Sequence, residues 1–147
     1  MVGDDGPGRV MVTPTARDPA RLLFRSKPAS LMSEQDKTLF QKIIDREIPG
    51  TIVHEDEHCV AFRDVNPGAP THILLVPRKP IPRLCDSEPA DQQLLGHMML
   101  VAPKIAADEG FGEAFRLVVN NGAEAGQSVF HLHLHILAGR PLAWPPG

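Results

Sequence analysis

Three histidines near the C-terminus occupy every second position in the stretch HLHLHIL, residues 131–137. In an extended strand this alternation places His131, His133 and His135 on one face and the aliphatic residues between them on the other. A neutral imidazole is a nucleophile near neutral pH, and an imidazolium beside it is a proton donor. The spacing therefore predicts attack on phosphorus, in which one ring takes the phosphoryl group and its neighbours stabilise the phosphoryl oxygens.

Two other interpretations compete with this one. A half-exposed strand that is rich in histidine for no chemical reason is the plainest, but it would put three of the chain's seven histidines on one face by chance. Zinc binding is the second, because imidazole is a common zinc ligand. The outer two histidines would lie roughly 13 Å apart along a strand, whereas nitrogens around tetrahedral zinc lie only about 3.3 Å apart. We therefore expect no catalytic metal and no cofactor.

The stretch NNGAEAGQS, residues 120–128, comes directly before the histidines. Its Gly122 and Gly126 allow backbone N–H groups to approach an anion closely, and Gln127 and Ser128 add short polar side chains. A plain glycine turn between two strands is the alternative. The position of this loop next to the histidines favours contact with a phosphate.

Phe62 and Asp64 are two positions apart, so a strand would place both side chains on one face. An aromatic ring suits contact with a nucleobase, and a carboxylate suits hydrogen bonds with a diol. Taken alone, Phe62 would be interpreted as a core residue and Asp64 as the acidic residue of a turn before Asn66. Both interpretations stay open at this point.

The composition is that of one ordinary globular domain, with 147 residues, 42% of them hydrophobic and 22% charged. The net charge of −3 gives no basic surface for nucleic acid, and no stretch approaches the ~20 apolar residues of a membrane span. Cys59 and Cys85 are too few for a secreted disulfide framework and predict two reduced thiols. We therefore expect a cytoplasmic protein, with a nuclear location as an alternative, that binds neither nucleic acid nor a membrane.

The N-terminal segment differs from the rest of the chain, because residues 1–33 contain three glycines, four prolines and no sustained apolar period. We expect residues 1–35 to be a disordered or flexible extension of a domain formed by residues 36–147. Five basic residues against three acidic ones leave a mitochondrial transit peptide in residues 1–33 open as an alternative, although Asp4 and Asp5 argue against it.

Two helices are predicted from their caps and apolar period. Ser33 or Asp36 can cap the first, and the second runs from Ser87 to about residue 109, with Gly110 as its C-terminal cap. The apolar face of the second helix is wider than contact with one sheet needs, which predicts a subunit partner. Pro103 lies inside this helix and predicts a kink.

Period-two patterns and turn signals predict five strands. Together with the two helices they give the order α-β-β-β-α-β-β. The short links between them favour an antiparallel sheet with the helices to one side. The predicted strands span about residues 51–55, 58–64, 71–77, 113–121 and 128–139.

Together these motifs resemble the histidine triad (HIT) superfamily, and in particular its Hint branch of nucleotide-binding proteins. The stretch HLHLHIL is similar to the signature His-x-His-x-His followed by two hydrophobic positions, and NPGAPTH, NNGAEAGQSVFH and AGRPLAWPPG resemble other stretches of that branch. The resemblance covers about residues 36–147. The ending WPPG is typical of the Hint branch and is lacking in the dinucleoside polyphosphate hydrolases of the superfamily. Pro103 departs from the family's pattern.

The resemblance implies an α+β fold of the HIT type, with a five-stranded antiparallel sheet and two main helices, in a homodimer whose sheets are continuous. It implies hydrolysis of purine nucleoside phosphoramidates, in which AMP or GMP is joined to an amine, through a nucleotidyl-histidine intermediate and without a metal or another cofactor. A nucleotide-binding regulatory or scaffold protein and a dinucleoside polyphosphate hydrolase are the alternatives. The natural substrate and the preference for adenine or guanine stay open.

The catalytic residues that the resemblance implies centre on the three histidines. His133 resembles the nucleophile, and His131 and His135 resemble flanking donors. Ser128 resembles the hydroxyl beside the leaving amine. His72, in the stretch PTHILLVP, resembles the histidine that accompanies the triad from a neighbouring strand.

The resemblance also implies which residues bind the substrate. Asp64 is similar to the acid that binds the ribose hydroxyls, and Asn120 to its companion. Gly126 and Gln127 are similar to residues of the phosphate-contacting loop. Trp144 resembles part of the partner-facing end near the other subunit's site. The residues that resemble the purine pocket are Leu39, Phe40, Ile43, Phe62 and Val65.

Overall fold

The computed structural model describes Ser33 and residues 35–147. The expected flexible extension, residues 1–35, therefore lies almost entirely outside the described part of the chain. Within that part, no helix combines the length and the apolar character needed to cross a membrane.

Seven main elements follow one another in the predicted order α-β-β-β-α-β-β. All neighbouring strands are antiparallel, in the spatial order β1-β2-β3-β5-β4. The expectation of a five-stranded antiparallel sheet with two main helices is therefore confirmed. The helices are α1, Leu39–Ile44, and α2, Gln92–Asp108, and the strands are β1, Ile52–Glu55, β2, Cys59–Arg63, β3, Thr71–Pro77, β4, Phe115–Val118, and β5, Leu134–Ala138.

The first helix begins after Thr38, whose side-chain oxygen accepts the backbone N–H of Gln41 over 3.1 Å. The expected caps are therefore wrong. Ser33 donates to the carboxylate of Asp36 over 2.7 Å, so these two polar side chains close a turn ahead of the helix. Six residues are too few for a helix that is stable by itself, and α1 depends on the packing of its apolar side against the sheet.

The start of α2 lies later than the sequence predicts. Glu88 and Asp91 each accept the other's backbone N–H, and Pro89 begins a 3₁₀ turn between them, so the α-helix itself starts at Gln92. The helix continues through Pro103. Beyond its last turn Gly110 has a φ of +90°, which confirms the predicted C-terminal glycine.

The two helices pack on opposite faces of the sheet, because the central strands are buried on both sides. Along β2, Cys59 and Ala61 belong to the apolar cluster that includes α2, whereas Val60 and Phe62 belong to the cluster that includes α1. The residues of β3 alternate in the same way. The expectation of helices to one side of the sheet is therefore wrong, and we refer below to an α1 face and an α2 face.

The last strand is shorter than predicted, since β5 begins at Leu134. The backbone N–H of Leu132 bonds over 2.7 Å to the connection that follows β3, and this segment does not pair with β4. His131 and His133 therefore precede the strand, and His135 lies within it. Leu134 packs in the cluster of the α2 face, which leaves the neighbouring His135 on the α1 face.

Candidate active site

His133 presents one free ring nitrogen. Its Nδ1 lies 2.7 Å from the carbonyl oxygen of His131. A carbonyl only accepts hydrogen bonds, so Nδ1 carries the ring proton and Nε2 keeps its lone pair. The ring of Phe40 meets the imidazole edge to face, with the centroids 4.9 Å apart. Packing and one backbone hydrogen bond thus fix both the tautomer and the orientation of this ring.

Burial keeps His133 in the reactive protonation state. Only 6% of the residue is exposed. This burial lowers the pKa of the ring below its ordinary value, although the His131 carbonyl and the charge of Asp64 act in the opposite direction. Only the neutral imidazole is nucleophilic, so the protonation state of His133 at neutral pH is compatible with its predicted role as the nucleophile.

His72 and His135 form a hydrogen-bonded chain beside this ring. The backbone N–H of Gly68 donates to Nδ1 of His72 over 2.9 Å. Neutral His72 then carries its proton on Nε2, which lies 2.8 Å from Nδ1 of His135. The proton of His135 is left on Nε2, which is buried and has no hydrogen-bond partner among the described residues. The chain thus ends in one unpaired donor, with the rings of His133 and His135 only 4.9 Å apart between centroids.

Both rings of this chain favour the neutral form. Burial, together with the charges of His133 and His72, lowers the pKa of His135 to about 4. Burial also lowers the pKa of His72, and the charge of the nearby Asp64 offsets only part of this shift. The sequence led us to expect an imidazolium beside the nucleophile. The structure instead offers a neutral N–H group as the donor at neutral pH.

His131 does not occupy the position expected of a flanking donor. The residue is fully buried, with Nε2 donating to the carbonyl of Pro77 over 2.7 Å and Nδ1 3.3 Å from the hydroxyl of Thr38. Both ring nitrogens are therefore bonded inside the protein. His131 is a positioning residue, which ties the segment before β5 to the end of β3 and directs its own carbonyl at His133.

Asp64 follows β2 and contacts both a turn and a histidine. One carboxylate oxygen accepts the backbone N–H of Asn66 over 2.8 Å, and the other lies 3.4 Å from Nε2 of His72. The donor atoms of Asp64, His72 and His135 all lie within 4.8 Å of one another, a spacing that a cation could also use. The hydrogen bond between the two rings already occupies their facing nitrogens. Asp64 therefore acts on the electrostatics of the histidines, and its contact with a ribose stays a prediction.

The glycine loop is held by its own hydrogen bonds, which changes the expected roles of Gly126 and Gln127. The backbone N–H of Gly126 donates to the carbonyl of Ala123, and that of Gln127 donates to the carbonyl of Gly122. The buried side chain of Gln127 accepts the N–H of Gly122 and donates to the carbonyl of Pro82. Both glycines have positive φ, which glycine adopts without strain. These residues therefore shape the loop, and their N–H groups are not directed at a phosphate.

Ser128 and Asn120 stand at the two ends of this loop. Ser128 is exposed, between the buried Gln127 and the histidine segment. The side-chain amide of Asn120 lies 3.5 Å from the carbonyl oxygen of Gly126, so it spans the base of the loop. The roles of Ser128 beside a leaving amine and of Asn120 beside a ribose stay predictions.

The five residues expected in a purine pocket divide into a buried wall and an exposed rim. Phe40 and Phe62 meet edge to face at 5.3 Å, and with Ile43 they belong to the buried cluster of the α1 face. Leu39 is 53% exposed and Val65 is 88% exposed. Exposed aliphatic side chains such as these are suited to contact with a flat apolar ligand.

Trp144 lies in the C-terminal tail and is 81% exposed. Arg116 of β4 donates to the carbonyls of Leu142 and Ala143 over 3.1 and 2.9 Å, which ties the tail to this edge strand. The indole therefore stands at the surface of the chain. Its closeness to a partner subunit's site stays a prediction.

The sequence analysis did not identify three groups that orient the histidine rings. They are the hydroxyl of Thr38, the N–H of Gly68 and the carbonyl of Pro77. The last two are backbone groups, which almost any residue type supplies, so no side-chain pattern indicates them. Thr38 could have been found, because a threonine directly before an apolar helical stripe is a helix-cap signal.

Comparison with known proteins shows which family this sequence and fold resemble. Residues 45–142 match the HIT domain family. An uncharacterized HIT-like protein of Synechocystis sp. is 62% identical over 112 residues, which cover 76% of this chain and 98% of that protein. Another uncharacterized HIT-like protein, of Synechococcus elongatus, is 55% identical over 116 residues, which cover 79% of this chain and all of that protein.

Solved structures show the same likeness. A HIT family hydrolase from Legionella pneumophila has a TM-score of 0.74 and 46% identity over 76% of this chain and 100% of that chain. A histidine triad protein from Clostridium difficile has a TM-score of 0.71 and 44% identity over 76% of this chain and 97% of that chain. The similarity thus spans nearly the whole length of these proteins.

Proposed function

The chain belongs to the HIT family, and we propose that it hydrolyses purine nucleoside phosphoramidates through a nucleotidyl intermediate on His133. The likeness to HIT family hydrolases supports hydrolysis, and the choice of phosphorus–nitrogen bonds and of purines is part of the proposal. The observation that carries it is the neutral His133 ring, whose Nδ1 is bonded to a backbone carbonyl and whose Nε2 is left to attack.

The reaction consists of two displacements at phosphorus. In the first, Nε2 of His133 forms a bond to phosphorus, the bond to the amine breaks, and the amine takes up a proton from solvent, which the Ser128 hydroxyl relays. In the second, water attacks phosphorus and the bond to His133 breaks, which releases the nucleoside monophosphate. The water gives up one proton to solvent, which balances the proton taken up by the amine.

His135 supports this reaction as a hydrogen-bond donor. Its Nε2–H group is buried beside His133 without a partner among the described residues. An unsatisfied buried donor costs roughly 1–3 kcal/mol, and a phosphoryl oxygen would satisfy it. Because negative charge on those oxygens grows in the transition state, the donor stabilises that state more than the bound substrate.

The nucleoside end of the substrate would lie along the α1 face. The exposed Leu39 and Val65 would provide apolar surface for a purine, and the buried Phe40 and Phe62 belong to the core cluster of this face. The carboxylate of Asp64 provides an acceptor for ribose hydroxyls and lies close to His72. The base and the reacting phosphorus would then occupy neighbouring parts of one face.

We also propose that two copies of the chain form a homodimer. The edge strand β4 has four half-buried residues, α2 exposes Met99 and Leu100, and Trp144 is exposed in the tail that β4 holds. An open strand edge with apolar side chains nearby favours association with a second copy. Light scattering at micromolar concentration should give twice the mass of the chain, and a monomer would contradict the proposal.

The test of function is a panel of adenosine and guanosine phosphoramidates, AMP-lysine and diadenosine tetraphosphate. We expect kcat/KM to be at least about 100-fold higher for the phosphoramidates than for the dinucleoside polyphosphate. Faster cleavage of diadenosine tetraphosphate would replace the proposal with the polyphosphate alternative. Nucleotide binding without turnover of any compound would favour a regulatory or scaffold protein.

Capture of the intermediate tests the mechanism separately. Protein that is quenched in neutral denaturant during turnover should carry one AMP-sized adduct on the peptide that contains His133. The adduct should be acid-labile, because it contains a phosphorus–nitrogen bond. An adduct on another residue would reject His133 as the nucleophile.

A further inference from the structure

A second group of polar side chains lies on the α2 face, on the other side of the sheet from the candidate active site. Nε2 of His54 and Nε2 of His97 lie 2.9 and 2.8 Å from the same carboxylate oxygen, Oδ2 of Asp56. The sulfur of Cys59 lies 3.4 Å from that oxygen. The donor atoms of His54, Asp56 and Cys59 all lie within 4.8 Å of one another. We call these four residues the Asp56 cluster.

A break in strand register brings His54 to this face. Ile52 pairs with Phe62, whose side chain belongs to the α1 face, and regular alternation would direct His54 the same way. The register shifts between Ile52 and His54, so that His54 stands opposite Ala61, which faces α2. Such irregularities re-aim side chains. The cluster therefore depends on a specific distortion of β1.

The donor atoms of His54, Asp56 and Cys59 have a spacing compatible with a tetrahedral zinc ion, whereas His97, which reaches the same carboxylate oxygen from α2, would have to move closer to the other ligands. Zinc bonds of about 2.0–2.3 Å place neighbouring ligand atoms about 3.3–3.6 Å apart. The nitrogen–oxygen contacts of 2.8–2.9 Å would have to open by only about 0.5 Å, and the sulfur–oxygen contact of 3.4 Å hardly at all. Two imidazoles, a carboxylate and a thiolate are all ligand types that zinc accepts.

The charges of the cluster also suit a divalent cation. Zinc binding would break the S–H bond of Cys59, form a zinc–sulfur bond and release the proton to solvent. Carboxylate and thiolate together would then balance the charge of the ion.

We propose that the Asp56 cluster binds one zinc ion through the two imidazole Nε2 atoms, the carboxylate Oδ2 and the thiolate sulfur. Each imidazole would bind as a neutral ring with its proton on Nδ1. The guanidinium of Arg78 lies nearby, where it bonds to the carbonyl of Asp56 and forms an ion pair with Glu55. The ion would join the β1–β2 turn to α2, away from the face that carries the nucleophile.

The same contacts can also be interpreted as hydrogen bonds without a metal, and titration of the full-length protein with Zn²⁺ or Co²⁺ alone decides between the two. We expect one zinc ion per chain and, with cobalt, the near-ultraviolet absorption of a cobalt–thiolate bond. His54→Phe and His97→Gln should each weaken zinc binding at least about 100-fold, because each removes a ligand. Cys59→Ser should abolish the cobalt–thiolate band.

Two control variants separate this site from its surroundings. Glu57→Gln changes an exposed residue of the same turn, whose side chain is not a ligand, and should leave zinc affinity unchanged. His135→Gln removes one member of the second group with metal-compatible spacing, which consists of Asp64, His72 and His135, and should also leave zinc affinity unchanged.

Three results would overturn the proposal. They are no zinc binding at micromolar concentration, equal binding by His54→Phe and the unaltered chain, and loss of binding in His135→Gln but not in His54→Phe. The side chains of His54 and His97 are only half-buried, so their variants decide the matter even if Cys59→Ser fails to fold.

Discussion

The two faces of the sheet use histidine in different ways. On the α1 face, backbone carbonyls take up one nitrogen each of His131 and His133, and burial lowers the pKa of these rings. On the α2 face, the half-buried His54 and His97 converge on the single carboxylate of Asp56. A backbone carbonyl fixes a tautomer and burial keeps the ring neutral, whereas a shared carboxylate gathers several donors at one point. The first arrangement suits a nucleophile and the second suits a cation.

Substitution of His133 should have the largest effect on the α1 face. His133→Ala should lower the single-turnover rate of phosphoramidate hydrolysis by at least about 10³-fold, because no neighbouring ring nitrogen can take the nucleotidyl group in its place. AMP binding, measured by calorimetry, should persist. His58→Ala, a substitution of an exposed histidine near the other face, is the matched control and should leave the rate unchanged. A near-normal rate in His133→Ala would remove the chemical distinction between the two faces.

Asp64 should affect substrate binding more than chemistry. Asp64→Ala should raise KM for ribonucleotide substrates by about 10-fold or more and lower kcat less, since a ribose contact is felt similarly in the ground and transition states. Steady-state kinetics with a 2′,3′-dideoxy substrate provide the control, because the effect should shrink when the hydroxyls are missing. An equal rise in KM for both substrates would show that Asp64 does not contact the ribose and acts only through its charge on His72.

The buried rings of the α1 face should make stability depend on pH. His135 takes up a proton near its ordinary pKa of 6.5 when the chain is unfolded, but only near pH 4 when it is folded. The unfolded state therefore binds more protons between these values. The contribution of His135 is fully present above pH 6.5 and is lost as the pH falls to 4, by at most about 3 kcal/mol.

Urea unfolding of His135→Asn measures this contribution. The free energy of unfolding should fall less steeply between pH 6.5 and 4 in the variant than in the unaltered protein. Some dependence should remain, because burial also lowers the pKa of His72, His131 and His133. An identical slope in both proteins would show that His135 is not held neutral by the fold.

Chelation should have the smallest effect on activity. It tests whether a zinc ion on the α2 face affects stability without affecting catalysis on the α1 face. If zinc binds to the Asp56 cluster, prolonged EDTA treatment should lower the melting temperature by several degrees, and added zinc should restore it. The kcat for a phosphoramidate should stay the same, because the nucleophile lies on the other face. Loss of activity that zinc restores would contradict a metal-free reaction on the α1 face.

The sequence predicted most of the fold, and its errors have identifiable physical causes. The element order and the antiparallel sheet are confirmed, since period, turns and caps are local signals. The histidine stretch was interpreted as one long strand, but His131 and His133 precede β5 because their segment bonds to the end of β3 and the connection after it. The helices lie on opposite faces because β2 and β3 are apolar on both sides, which a count of elements does not reveal.

In the candidate site, too, some features follow from the sequence and others only from the tertiary structure. The sequence by itself indicated that several histidines gather on one side, although only His135 lies in the strand that their spacing predicted. Only the tertiary structure decided what each histidine does. The partners of His131 and His135 come from residues 93 and 63 positions away, and the bulge in β1 turns His54 to the other face. Which ring nitrogen stays free depends on those contacts, because an imidazole takes its tautomer from its hydrogen-bond partners.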